Sequence, residues 1–161
     1  MRIHIGGDHA AYELHQSLAA HLRDAGHEVV DHGPFTYDAQ DDSPVFVLRA
    51  AEAVAADEGS LGVVLGGSGN GEQIAANKVT GIRAALAYSA ELASLAREHN
   101  NAQVVSIGAR FTTDEVAKQI VDTFVATAFT EEPRHARRLG MVTAYESTGE
   151  LPDIPGPDDA H

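Results

Sequence analysis

Glu72 closes a glycine-rich run, Gly66-Gly67-Ser68-Gly69-Asn70-Gly71, that follows the apolar stretch Leu61–Leu65. Glu72 and the residues after it, Gln73-Ile74-Ala75-Ala76-Asn77, read as the start of a helix. A strand, a glycine loop and a helix in that order aim backbone N–H groups at one spot, which suits a phosphate or a developing oxyanion. A carboxylate beside that cluster repels a bound phosphate. The segment therefore points to an ionised general base next to an oxyanion hole, and the helix N-terminus favours the charged form. The structural alternative is that Glu72 complements the helix dipole while the glycines make a tight turn. Two nucleotide readings fail: from Gly67, the third glycine of G-x-G-x-x-G is replaced by Glu72, and no Gly-Lys-Ser/Thr follows as a P-loop requires.

Two further places with polar chemistry follow apolar runs: Gly7-Asp8-His9 and Gly108-Ala109-Arg110. Pro133 reads as an early helical residue, so Arg134 and Arg138 share a face four residues apart, with His135 and Arg137 beside them. Three of the nine arginines of an acidic chain lie in this stretch. Read alone it is a solvated basic face balancing Glu131 and Glu132. Read alone, His99-Asn100-Asn101 is a helix C-cap.

The elements that must position these residues alternate. Strands are expected near Ile3–Gly6, His27–Asp31, Leu61–Leu65, Ile82–Ala87 and Val104–Gly108. Helical stripes lie between and after them: Ala11, Leu14, Leu18 and Leu22; Leu92, Leu95 and Ala96; Val116, Ile120 and Phe124, all read as core. A loop from His32 to Pro44 carries Gly33, Pro34, Asp38, Asp41 and Asp42, and a helix begins near Pro44. This alternation is that of βαβ units and a parallel sheet, which binds ligands outside the carboxyl ends of its strands.

The chain of 161 residues fits one domain with a substantial core. Its net charge of −13 argues against nucleic acid or an anionic membrane as partner. No apolar run reaches the ~20 residues of a membrane span, and Met1-Arg2-Ile3-His4-Ile5 reads as a strand, so a cytoplasmic protein is expected. With no cysteine, disulfides, thiolate metal sites and thiol nucleophiles are excluded. Nine histidines raise the question of a metal, but His4, His15, His21, His27 and His32 show no ligand spacing and read as surface or core-edge residues. The segment 151–161 is rich in Pro, Gly and Asp and is expected to be a flexible acidic tail.

Asp8-His9-Ala10, the run from Gly67 to Lys78, and Arg97-Glu98-His99-Asn100-Asn101-Ala102 occur together in this order. That combination resembles the type B ribose-5-phosphate isomerases, within a broader family that also holds galactose-6-phosphate isomerase subunits. The likeness covers roughly residues 2 to 147 and is strongest to the actinobacterial branch, where a glutamate replaces the cysteine base of other members. The cysteine position is Gly66 here, and Glu72 is present. One departure is Ala11, where many members have glycine.

The resemblance implies a Rossmann-like three-layer αβα sandwich around a five-stranded parallel sheet, with residues 1–150 as one sugar-phosphate isomerase domain. It implies a homodimer with two sites at the interface, and reversible interconversion of ribose 5-phosphate and ribulose 5-phosphate with no cofactor and no metal. By that likeness Glu72 takes the C2 proton, His99 opens the sugar ring with Asp8 on the same part of the sugar, and Ser68 shuttles protons. Backbone N–H groups of Gly67, Gly69, Asn70 and Gly71 hold the enediolate oxygen. His9, Arg134 and Arg138 bind the phosphate, with Asn100 and Arg110 reaching the substrate from the partner subunit. The rival readings are an isomerase of a six-carbon sugar phosphate, such as allose or galactose 6-phosphate, and a non-catalytic sugar-phosphate sensor.

Overall fold

The computed structural model describes residues 1–159. It forms two compact units, Met1–Phe129 and the segment from Thr130 onward. The first holds β1 (Arg2–Gly7), a 3-10 turn (His9–Ala11), α1 (Tyr12–Asp24), β2 (Glu28–Asp31), α2 (Ser43–Ala56), β3 (Leu61–Gly66), α3 (Asn70–Asn77), β4 (Ala84–Leu86), α4 (Ala90–Asn100), β5 (Val104–Gly108) and α5 (Asp114–Ala126). The second holds α6 (Pro133–Thr148). Ala160 and His161, the end of the expected tail, lie outside the described residues.

The five strands are all parallel, in the order β2-β1-β3-β5-β4. β3 and β5 are buried along their whole length, which is why they read as continuous apolar runs and not as alternating ones. Alternate side chains feed two cores. Ile3, Ile5, Val63, Leu65, Val105 and Ile107 pack with Leu14, Leu18 and Leu22 of α1 and with Ile120 and Phe124 of α5. On the other face Val64 and Val104 pack with Val47, Ala50, Ala51 and Val54 of α2 and Ala76 of α3. The result is the expected three-layer αβα sandwich.

The chain leaves β1 toward β2 on one side and enters β3 on the other. A crevice opens at such a reversal, outside the carboxyl ends of the strands, and the Asp8-His9 turn and the Gly67–Glu72 loop flank it.

Three details differ from the sequence expectation. β4 is only Ala84–Leu86, because the N–H of Arg83 is taken by the Gln103 side chain and that of Ile82 by the Val79 carbonyl. On α4 the buried residues are Ala93 and Ala96, while Leu92 and Leu95 are exposed. Small residues let α4 approach its neighbours closely, which turns the large ones outward. His4 and His15 are buried, not surface or core-edge groups. His15 is held by Asp31, its Nε2 lying 2.9 Å from Oδ1.

Candidate active site

Backbone hydrogen bonds stitch the three strand ends into one surface. The N–H of Asp8 donates to the Leu65 carbonyl, that of Ala109 to Gly66, and that of Arg110 to Gly67. The turn after β1, the glycine loop after β3 and the start of the loop after β5 are thus adjacent.

The glycine loop is shaped from within. Gly69 has φ +82°, a left-handed conformation open to glycine at no steric cost, and serves as the N-cap of α3. The N–H of Gln73 closes the first turn on the Gly69 carbonyl, so α3 begins at Asn70, two residues before the expected start. The buried Ser106 hydroxyl donates to the same carbonyl at 2.7 Å, and Tyr88 Oη donates to the Ser68 carbonyl at 2.5 Å. With these carbonyls engaged, the loop's shape is fixed, and the Ser68 hydroxyl accepts the N–H of Asn70 at 3.2 Å.

Glu72 lies in the first turn of α3 and is 5% exposed. Its carboxylate accepts no hydrogen bond from any described residue. It is seated directly on Gly66: a Cβ built at that glycine would fall inside the Glu72 carboxyl group. Arg110 covers the neighbouring glycine, with its guanidinium carbon 3.3 Å from where a Cβ of Gly67 would stand.

Asp8 spends one carboxylate oxygen on the N–H of Ala10, at 2.9 Å, capping the 3-10 turn. His9 is gripped by Asp41, a residue that sequence reasoning placed in the loop but gave no role. Asp41 Oδ1 accepts both the His9 backbone N–H, at 3.0 Å, and its ring Nδ1–H, at 2.7 Å. The bond to Asp41 raises the pKa of His9 above its ordinary value; partial burial opposes this, Asp8 adds to it and Arg110 works against it. A cavity of about 880 Å³ opens beside His9, with Tyr12, Tyr37 and Thr112 on its wall. Its volume lies in the range of small-molecule sites.

His99 and Asn100 form the last turn of α4, and Asn101 follows as a left-handed cap at φ 44°. The Asn100 carbonyl accepts from Arg83 Nε at 2.8 Å, which ties this turn to the amino end of β4. Glu72 stands at the carboxyl end of β3. A five-residue strand spans roughly 15 Å, so one chain holds His99 and Glu72 at opposite ends of its sheet. Arg110, expected to act across an interface, already reaches Gly67 of its own chain. In the second unit, Arg134 and Arg138 are both exposed on α6, and Arg134 Nε lies 3.2 Å from a Glu132 oxygen.

Among the described residues no group of three or more His, Asp or Glu side chains is arranged to hold a metal ion. None of the described helices is long and apolar enough to cross a membrane.

The family model described as Ribose/Galactose Isomerase matches residues 3–142. The chain belongs to this family. It is 55% identical to ribose-5-phosphate isomerase B of Mycolicibacterium paratuberculosis, over 97% of this chain and 98% of that one. The type B ribose 5-phosphate isomerase structure from Trypanosoma cruzi superposes with a TM-score of 0.87 at 42% identity, covering 92% of this chain and 99% of that one. Ribose-5-phosphate isomerase B of Mycoplasma genitalium, determined with bound ribulose-5-phosphate, matches with a TM-score of 0.87 at 38% identity, over 91% and 97% of the two chains. Within the Ribose/Galactose Isomerase family, then, this chain is similar to its ribose-5-phosphate members along almost its whole length.

Proposed function

We propose that the chain interconverts D-ribose 5-phosphate and D-ribulose 5-phosphate, with Glu72 as the base. The observation that carries this reading is Glu72, a buried residue whose carboxylate makes no hydrogen bond with any described residue, seated beside the glycine loop that opens α3. The ribulose-5-phosphate bound to the M. genitalium relative supports the choice of substrate.

The reaction begins with the closed sugar. His99, aided by Asp8, moves the O1 proton to the ring oxygen as the C1–O4 bond breaks. Glu72 then removes the proton from C2, and that electron pair forms the C1=C2 bond while O1 takes the negative charge. N–H groups of the Gly67–Gly71 loop stabilise this oxygen, a role worth about 3 kcal/mol per donor. Ser68 carries the O2 proton to O1, and Glu72 returns its proton to C1 to give the ketose. The phosphate is bound by His9 and, by the family likeness, by Arg134 and Arg138, while Asn100 and Arg110 contact the sugar.

The active form is a homodimer with composite sites. His99 can meet the sugar held by Glu72 only if it comes from a second copy, because the two residues occupy opposite ends of one sheet. Ile74 on α3 and Leu92 and Leu95 on α4 are exposed apolar groups that a second copy would cover.

The purified protein is expected to form ribulose 5-phosphate from ribose 5-phosphate with kcat/KM at least about tenfold above that for allose or galactose 6-phosphate, the discrimination that a pocket can draw from one extra carbon unit. A preference for either six-carbon substrate would move the assignment to the longer sugars. Binding of ribose 5-phosphate without deuterium exchange at C2 would mark a sensor.

A further inference from the structure

Asp41 is separated from His9 by thirty-two positions and contributes nothing to the sheet or to either core. Yet its carboxylate is 7% exposed and turned onto a single residue. Oδ1 accepts from the backbone and the ring of His9 at once, while Oδ2 is buried with no hydrogen-bond partner. The turn that delivers it is held by the Asp41 N–H on the Asp38 carbonyl and by the Gln40 N–H on the Asp38 side chain. The ring of Tyr37, from the same loop, stands edge-on to His9 with centroids 6.4 Å apart.

A desolvated carboxylate with one unsatisfied oxygen is costly unless a positive charge stands against it, and the group held against Asp41 is the His9 ring. Fixing Nδ1–H on Asp41 also decides what the other nitrogen offers. In the neutral ring Nε2 is an acceptor and cannot bond a phosphate oxygen. In the imidazolium it is a charged donor. The groups acting on His9 are Asp41 and Asp8, which favour the cation, and Arg110, which opposes it.

We infer that Asp41 is a positioning residue that holds His9 in one orientation and as an imidazolium, so that Nε2–H binds the substrate phosphate. This rests on the reading of His9 as a phosphate ligand. The sign follows directly: phosphate binding by His9 is lost as pH rises through the His9 pKa, and removing the Asp41 charge brings that loss to lower pH.

The test compares Asp41→Asn, Asp41→Glu and His9→Asn in the full-length protein. Asp41→Asn keeps an acceptor oxygen for both N–H groups but removes the charge. It is expected to raise KM for ribose 5-phosphate and Ki for inorganic phosphate about tenfold near pH 8, with kcat within about threefold of the parent. The alkaline limb of kcat/KM should move down by about one pH unit. Asp41→Glu should restore much of the KM. The His9 ring proton, assigned by its absence in His9→Asn, should titrate in proton NMR at lower pH in Asp41→Asn than in the parent, which checks the charge effect in any variant that folds. An unchanged His9 titration in Asp41→Asn, or a loss confined to kcat, overturns the inference. If His9→Asn itself leaves KM and the phosphate Ki unchanged, the assignment of His9 to the phosphate fails. If His9→Asn raises them and Asp41→Asn does not, only the role of Asp41 fails.

Discussion

Glu72→Gln is expected to lower kcat roughly 10²–10⁴-fold, the range a positioned general base supplies, while KM for ribose 5-phosphate and the folded structure change little. Gln matches the shape of Glu72 and keeps α3 packed, so the substitution removes proton affinity and charge, not volume. Glu72 is 5% exposed and its carboxylate makes no hydrogen bond with any described residue, so no interaction that holds the fold is lost with it. The neighbouring N–H groups remain, and they account for a residual rate above that in water. Steady-state assays of ribulose 5-phosphate formation and circular dichroism on the same preparation check both halves. A kcat within tenfold of the parent contradicts the assignment of the base.

Gly66→Ala is expected to cost nearly as much turnover as Glu72→Gln although it adds one methyl group at a residue that touches no proton. The Cβ would occupy the volume of the Glu72 carboxyl group, so Glu72 must leave its seat. Gly66 ends a fully buried strand and is paired with Gly108 of β5, which limits how far the backbone can yield instead. Because the atoms in the way end a flexible side chain, only the strain that its movement leaves unrelieved should appear as lost stability, at the low end of overpacking, about 1 kcal/mol. The two positions are therefore coupled. In a Glu72→Ala background the same Gly66→Ala change should be almost neutral in thermal or denaturant unfolding, and a double-mutant cycle measures the difference. Additive effects would show that Gly66 and Glu72 do not compete for space.

This pair also shows where sequence reasoning succeeds and where it stops. That Gly66 and Glu72 occur together is visible in the residue string. The reason is not, because it is a clash between a side chain and an absent one six positions away, across the turn from strand to helix. The sheet was legible because β3 and β5, buried on both faces, are unbroken apolar runs, and the glycine loop because its residues are consecutive. α4 misled because Leu92 and Leu95 follow helical spacing as well as Ala93 and Ala96 do; spacing identifies a face, but which face is buried depends on how closely the neighbouring helix approaches. Asp41 was one acid among several in a loop of turn residues, and nothing local distinguishes it from Asp38 or Asp42. The burial of His15 was hidden because a histidine satisfied by a distant carboxylate, Asp31, has no signature in its own neighbourhood.

The most direct test of a site built from two chains mixes Glu72→Gln with His99→Asn, each close to inactive alone, then unfolds and refolds them together. Random pairing makes half of the dimers mixed. If Glu72 of one chain works with His99 of the other, each mixed dimer carries one intact site and one doubly altered site, and the mixture should regain roughly one quarter of parental activity. If the two residues serve the same site from one chain, no intact site forms and the mixture stays as inactive as its parts, which would contradict the account.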